Sequence, residues 1–141
     1  MGVSLRAEQL AARLKPGEPL SSLYTVTGDE AWACTYAGFP IIRLGDQPER
    51  RWLTELSGTS ALAVDGPHIL AAGGYDRDAN QAKLLQLGTT DAKTLATWRL
   101  PFTPVRSWTL DPPWLDGRSD TLHLVDRGIW QRWSVSDFVT T

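Results

Sequence analysis

The sequence predicts an all-β protein of antiparallel sheets with one short helix at its N-terminus. After Pro19 the chain becomes a series of short apolar runs, and residues that favour turns separate these runs. One of the runs recurs 43 residues later, with Ile41 matching Leu84. Hydrophobic residues make up 42% of the 141 residues and charged residues 21%, which is typical of a soluble globular domain.

The first predicted element is a helix over 4–15. Leu5, Leu10 and Leu14 share one stripe of this helix, and Ser4 is suited to its N-cap. The prolines and glycine of 16–19 end the helix. We expect this amphipathic segment to cap the next element, with docking of a partner as the alternative.

Eleven short strands follow the helix in the prediction. They cover 23–27, 31–36, 40–44, 51–56, 61–64, 69–72, 83–87, 94–100, 106–110, 121–125 and 128–135. Turn residues separate most of them, including Gly66-Pro67 and Asp116-Gly117. Many short strands at even spacing are typical of a sandwich, a barrel or a propeller.

The strands repeat along the chain. The run at 41–45 matches the run at 84–88 position by position, and a strand carrying Trp52 or Trp98 follows each copy. A more divergent third copy lies at 129–133, 45 residues after the second. This spacing falls in the range of roughly 40–50 residues for one four-stranded propeller blade. The predicted divisions are a helix and linker over 1–19 and blades over 20–57, 58–103 and 104–141.

The second unit resembles a WD-repeat propeller blade. Ala-Leu-Ala-Val-Asp-Gly at 61–66 is similar to the innermost strand and its turn in that family, and Ile-Leu-Ala-Ala-Gly-Gly-Tyr-Asp at 69–76 is similar to the second strand. The run at 42–46 parallels the third strand of a first blade. The resemblance implies a partial β-propeller of three four-stranded blades and a role as a protein-interaction scaffold.

Three blades do not close a ring by themselves, because closed propellers have about four to eight. We therefore expect the ring to be completed by another chain, either a second copy or a different protein, so the chain is expected to be a homo- or hetero-oligomer. The first and last blades are each expected to expose an apolar face. A fragment of a longer propeller and a compact β-sandwich remain open alternatives.

The candidate binding residues lie in the two longest stretches without a strand pattern, 75–82 and 111–120. Trp114 stands among prolines and charges, which predicts an exposed aromatic anchor or a ring folded back over a blade edge. The candidate residues are Trp114, Asp111, Arg118, Asp76 and Arg77. A solvated turn is the simpler interpretation of the charges at 76–78.

Two functions remain open at this stage. The first is a non-enzymatic module that binds a protein or a peptide. The alternative is a carbohydrate-binding propeller, in which arginines beside tryptophans contact sugars. That interpretation rests on three places in the sequence, namely Trp52 with Arg50 and Arg51, Trp98 with Arg99, and Trp133 with Arg132.

Composition disfavours several other classes. Cys34 is the only cysteine, so no intrachain disulfide forms, and without a recognisable signal peptide we expect a cytoplasmic protein. One cysteine with His68 and His123 does not make a usual zinc site, and no nucleophile motif appears. The isoelectric point near 5.6 argues against nucleic acid, and no apolar run is long enough for a membrane helix. We expect no catalytic residues, metal or cofactor.

Overall fold

The computed structural model describes residues 24–27, 30–34, 40–45, 48–56, 58–104 and 113–139. These residues form three antiparallel sheets, each with its strands in chain order. Sheet 1 contains β1 (Tyr24–Thr27), β2 (Glu30–Cys34), β3 (Ile41–Leu44) and β4 (Arg50–Trp52). Sheet 2 contains β5 (Ala61–Asp65), β6 (His68–Ala72), β7 (Gln81–Leu87) and β8 (Ala92–Arg99). Sheet 3 contains β9 (Trp114–Arg118), β10 (Thr121–Asp126) and β11 (Ile129–Ser134).

The predicted all-β, antiparallel class is confirmed. The described helical structure is one 3₁₀ turn at Asp76–Asp78 and one short helix, α1 (Val135–Val139). The three sheets do not form a closed ring. The helix predicted over 4–15 and the strand predicted over 106–110 lie outside the described residues.

The repeat found in the sequence corresponds to equivalent strands. Its three copies fall in β3, β7 and β11, and each of these is the third strand of its sheet. Trp52 and Trp98 lie in the fourth strands, β4 and β8. The sequence repeat therefore marks one structural unit, a run of consecutive antiparallel strands.

Sheet 2 lies between the other two sheets and buries both of its faces. One face, with Leu62, Ile69 and Leu85 among its residues, packs on Trp32 and Trp52 of sheet 1. The other face packs on sheet 3, through a cluster that includes Ala63, Leu70, Leu84 and the Leu122 side chain of β10. Successive residues of a strand point to opposite faces, so the nearly continuous apolar runs of β5 and β6 supply both contacts.

The innermost strands of the three sheets, β1, β5 and β9, are mutual neighbours. Gly117 allows the close approach of β9, because a Cβ atom there would overlap the backbone of Leu62. The Val64 N–H donates to the Ser119 carbonyl at 2.7 Å just beyond this point. The prediction of a turn at Asp116-Gly117 was wrong, because this glycine serves close backbone packing inside a strand.

Two stacked tryptophans join sheet 1 to sheet 2. The rings of Trp32 and Trp52 lie 5.5 Å apart and nearly parallel, and both are almost fully buried. The Trp52 Nε1–H donates to the Gly88 carbonyl at 2.9 Å, in the turn between β7 and β8. The buried Trp32 Nε1 has no hydrogen-bond partner among the described residues. The two indoles therefore share one environment but differ in the state of their N–H groups.

The chain turns from β11 into α1 through a capped helix start. The Ser134 N–H donates to Asp137 Oδ2 at 2.8 Å, as in a capping box. Val135 is fully buried, and Phe138 packs edge-on against Trp98 with 4.6 Å between ring centroids. Because of this cap, the strand predicted over 128–135 ends at Ser134.

The end faces of the three-sheet array differ from the expected exposed apolar faces. On sheet 1, the face turned away from sheet 2 carries Ala31, Ile42 and Leu44, which form a small buried cluster. On sheet 3, the face turned away from sheet 2 carries charged, polar and aromatic side chains. The expectation was wrong there because strand alternation places the charged residues Asp116, Arg118 and Arg132 on that face together with the aromatic ones.

Replacing Gly117 with alanine is expected to destabilise the protein by about 3 kcal/mol or more, because β9 must move away from β5. Gly66→Ala is the control, since Gly66 has a φ of 59° and open space around it. There the left-handed conformation alone costs about 1–2 kcal/mol. Denaturant unfolding measures both variants, and equal costs would contradict the assigned role of Gly117.

Trp52→Phe is expected to cost about 1 kcal/mol more than Trp32→Phe, because it removes the hydrogen bond at 2.9 Å to the Gly88 carbonyl, which keeps only the longer bond from Arg50 at 3.4 Å. Trp32→Phe removes a similar volume from the same stack, together with a buried N–H that has no partner. Denaturant unfolding of the two variants compares the costs. The larger loss in Trp32→Phe would contradict this account.

Candidate functional site

The candidate site is the outer face of sheet 3, defined as the face turned away from sheet 2. Leu122 and Leu124 of β10 are buried, with Leu122 in the cluster against sheet 2, so the alternate residues of β10 point outward. The strand register places matching positions of β9 and β11 beside them. The outer face thus consists of Trp114, Asp116, Arg118, Thr121, His123, Val125, Trp130, Arg132 and Ser134.

Two exposed tryptophans frame one end of the outer face. Trp114 and Trp130 both lie opposite Val125 on the central strand. Their backbones are two strand spacings apart, about 10 Å. Half or more of each side chain is exposed, 50% for Trp114 and 58% for Trp130. The smaller Val125 side chain therefore lies between two large, exposed aromatic residues.

A histidine and an arginine hold the Trp130 ring. The Trp130 Nε1–H donates to His123 Nδ1 at 3.1 Å, and the two rings stack with 5.8 Å between centroids. The Arg132 guanidinium lies 5.0 Å from the centre of the Trp130 ring, within cation–π range. Because an indole N–H only donates, His123 Nδ1 carries no proton in this arrangement. The three side chains form one pre-arranged platform.

The outer face carries two arginines, Arg118 and Arg132, and one carboxylate, Asp116. Asp116 lies opposite His123 and forms an ion pair with Arg118 at 2.8 Å. Arg132 then remains as a second cation on the face. An open cavity of about 650 Å³ lies at the end of the sheet opposite the two tryptophans. Its lining includes Arg118, His123 and Arg132 and also two carboxylates, Asp120 and Asp137.

The structure brings together two of the five predicted binding residues. Trp114 and Arg118 both lie on the outer face, at the two ends of β9. Trp114 was predicted to lie outside any strand but is the first residue of β9. Asp111 lies outside the described residues. Asp76 and Arg77 lie in the turn between β6 and β7 of sheet 2, away from the outer face.

The turn at 76–78 is held by an arginine from β8. Arg99 pairs with Asp78 at 2.9 Å, donates to the Arg77 carbonyl at 2.9 Å and donates to Asn80 Oδ1 at 3.0 Å. Asn80 also donates to the Phe102 carbonyl at 2.9 Å. These bonds give the charged turn a structural role.

Sequence reasoning missed Trp130, His123, Arg132 and Asp116 as members of one site. The available signal was strand alternation, because His123 lies between two leucines that face the core. A two-residue turn at Arg127-Gly128 then places Trp130 and Arg132 on the face of His123. The hairpin between β9 and β10 places Asp116 on the same face, opposite His123.

In the three tryptophan–arginine pairs considered for sugar binding, the two side chains are not exposed together as a surface for a sugar. Trp52 is 2% exposed, and Arg50 lies over its ring at 4.7 Å. Arg51 pairs with Glu49 at 2.6 Å.

The other two pairs are also separated by structure. Trp98 packs against Phe138, while Arg99 holds the turn at 76–78. Trp133 packs in the cluster between sheets 2 and 3, whereas Arg132 points to the outer face.

Cys34 is a buried strand residue. It packs in the cluster between sheets 1 and 2, and burial raises the pKa of its thiol to about 11. The thiol is therefore neutral near pH 7, and a neutral thiol is a poor nucleophile. Among the described residues, no group of three or more histidine, cysteine or acidic side chains is arranged to hold a metal ion.

Comparison of this chain with protein-family models, with curated proteins and with solved structures finds no match. In the described part of the chain, no helix has the length and apolar character needed to cross a membrane.

Cys34 is expected to react with a thiol reagent at pH 8 at least about 100-fold more slowly in the folded protein than after unfolding, because its thiolate population falls with the raised pKa. Below the pKa of the thiol in the unfolded chain, Cys34 is protonated in both the folded and the unfolded state, so its ionisation does not change the free energy of unfolding. As pH rises from about 9 to about 11, only the unfolded thiol ionises, so stability falls. Labelling kinetics with and without denaturant test this, and rapid labelling of the folded chain would contradict it.

Proposed function

We propose that this chain is a non-enzymatic interaction module of three propeller-like blades, which binds a protein or peptide partner on the outer face of sheet 3. The observation that carries the proposal is the pair of half-exposed tryptophans, Trp114 and Trp130, beside Arg132. Tryptophan and arginine are the residues most enriched among those that dominate binding energy at protein interfaces.

The platform at Trp130 supports binding because its side chains are already ordered. The hydrogen bond to His123 and the contact with Arg132 hold the indole in place before a partner arrives. A partner then meets a surface that loses little conformational freedom on binding. The exposed rings of Trp114 and Trp130 on either side of Val125 offer apolar surface for a side chain of the partner.

The chemistry of the partner is inferred from Arg132, the arginine of the outer face that lies over the exposed Trp130 ring. Arg118 is already paired with Asp116, while Arg132 has no carboxylate partner among the described residues. A segment with an acidic side chain beside an aromatic or aliphatic one complements this surface. We therefore infer an acidic, apolar-anchored peptide or protein segment as the partner.

The arrangement of the sheets supports a propeller-like array. The innermost strands β1, β5 and β9 are neighbours, and successive sheets pack face to face. The outer face of sheet 3 is the position where a following blade would pack. A partner chain bound there would continue the array, so ring completion and partner binding are one event in this proposal.

Peptides selected from a random display library on this chain are expected to carry an acidic residue next to an aromatic or aliphatic one. Trp114→Ala and Trp130→Ala are each expected to weaken their binding at least about tenfold, since each removes an anchor. Leu95→Ala is the matched control, because Leu95 is also exposed but lies on β8 of sheet 2. Calorimetric titration measures the affinities.

Thermal unfolding confirms that each variant remains folded before its affinity is compared. Selected peptides whose affinity is the same for all three variants would overturn the proposal. Retention on a sugar column with release by free sugar would replace it with the carbohydrate-binding alternative.

A further inference from the structure

Strand β11 forms an open edge in the part of the chain that the structure describes. In sheets 1 and 2 the third strand lies between two neighbours, whereas β11 pairs with β10 alone. Ile129 and Trp130 of β11 are 64% and 58% exposed, although they point to opposite faces. An exposed strand edge is a template for pairing with another strand.

The hairpin geometry shows which backbone groups face this edge. Arg127 and Gly128 have φ values of 53° and 77°, as in a two-residue hairpin turn, so Asp126 and Ile129 bond to each other. Hydrogen-bonded and non-bonded positions alternate along an antiparallel pair. Ile129, Gln131 and Trp133 therefore direct their backbone groups to β10.

The intervening residues, Trp130, Arg132 and Ser134, direct their backbone groups outward. The Ser134 N–H supports this assignment independently, because it donates to Asp137 Oδ2 at 2.8 Å. The N–H and carbonyl groups of Trp130 and Arg132 then remain on the open edge. These four groups are spaced for one further antiparallel strand.

We propose that β11 pairs with β11 of a second copy of this chain, antiparallel about a twofold axis at Gln131. In this register Trp130 of each copy lies opposite Arg132 of the other. Both residues direct their backbone groups outward, so each such pair exchanges two hydrogen bonds. The two pairs together satisfy all four open groups of each copy.

The side chains of β11 are complementary to themselves in the same register. On the outer face, Arg132 of one copy lies beside Trp130 of the other, a cation–π pair. On the opposite face, Ile129 lies across from Trp133. Neighbouring registers are poorer, because one places Arg132 against Arg132 and the other places Arg132 against Gly128 in the turn.

This dimer joins the two copies of sheet 3 into one six-stranded sheet with a continuous outer face. Its hydrogen bonds come from the backbone edge, whereas the proposed function rests on side chains of the outer face. Each proposal can therefore be contradicted by experiment without contradicting the other. Trp114 is two strands away from the edge, so its replacement affects peptide binding and leaves the dimer intact.

Gln131→Cys is expected to form a disulfide between two copies under mild oxidation. The two residues at the axis form a non-bonded pair with Cα atoms about 4.5 Å apart, within the range for a disulfide. Ile129→Cys is the matched control on the same strand, because its two copies would be about 14 Å apart. The native Cys34 is buried and contributes little background.

Non-reducing electrophoresis measures the rate of cross-linking, which is expected to be at least about tenfold faster at position 131. The proposed register is overturned if Trp130→Cys or Arg132→Cys cross-links faster. Cross-linking at position 131 that is no faster than at position 129 overturns the pairing itself.

Light scattering of the full chain is the second measurement, with a mass twice 15.6 kDa expected. Arg132→Pro removes an outward N–H without removing a bond to β10, so we expect it to be folded and monomeric. Arg132→Lys keeps the N–H and the charge and is expected to remain dimeric, with circular dichroism confirming the fold of both. A monomeric wild-type chain at every soluble concentration overturns the proposal.

Discussion

The structure depends on the burial of both faces of sheet 2. Strands β5 and β6 are apolar at almost every position, and their side chains alternate between the cluster against sheet 1 and the cluster against sheet 3. A sheet of this composition is stable only when both faces are covered, because either face left in water would lose the hydrophobic contribution that stabilises it. Sheets 1 and 3 bury the two faces of sheet 2, and this packing also fixes where sheets 1 and 3 lie.

The position of sheet 3 also depends on backbone proximity. Gly117 allows β9 to pack against β5. The backbone hydrogen bond from Val64 to Ser119 fixes the position of β9 along the length of β5. Once Leu122 is directed into the core, every second residue of β9, β10 and β11 must point the other way. The composition of the outer face is therefore a consequence of how the inner face packs.

The outer face and the edge of sheet 3 offer two different kinds of contact. The face presents ordered side chains, with Trp130 held between His123 and Arg132. The edge presents backbone groups at Trp130 and Arg132. In a paired sheet, the platforms of two copies would lie side by side, so a partner with two matching segments would bind them together with increased avidity.

Local sequence determined the secondary structure class and the repeating unit. Short apolar runs and turn residues predict strands because both signals act through neighbouring residues, and the match between 41–45 and 84–88 marked equivalent third strands. Tertiary structure decided the role of individual residues. Gly117 looked like a turn residue until β5 was placed beside it, and Trp52 looked available until Trp32 and Gly88 enclosed it. His123, Trp130 and Arg132 meet only through hairpin register, since a shift of one residue sends a side chain to the opposite face of the sheet.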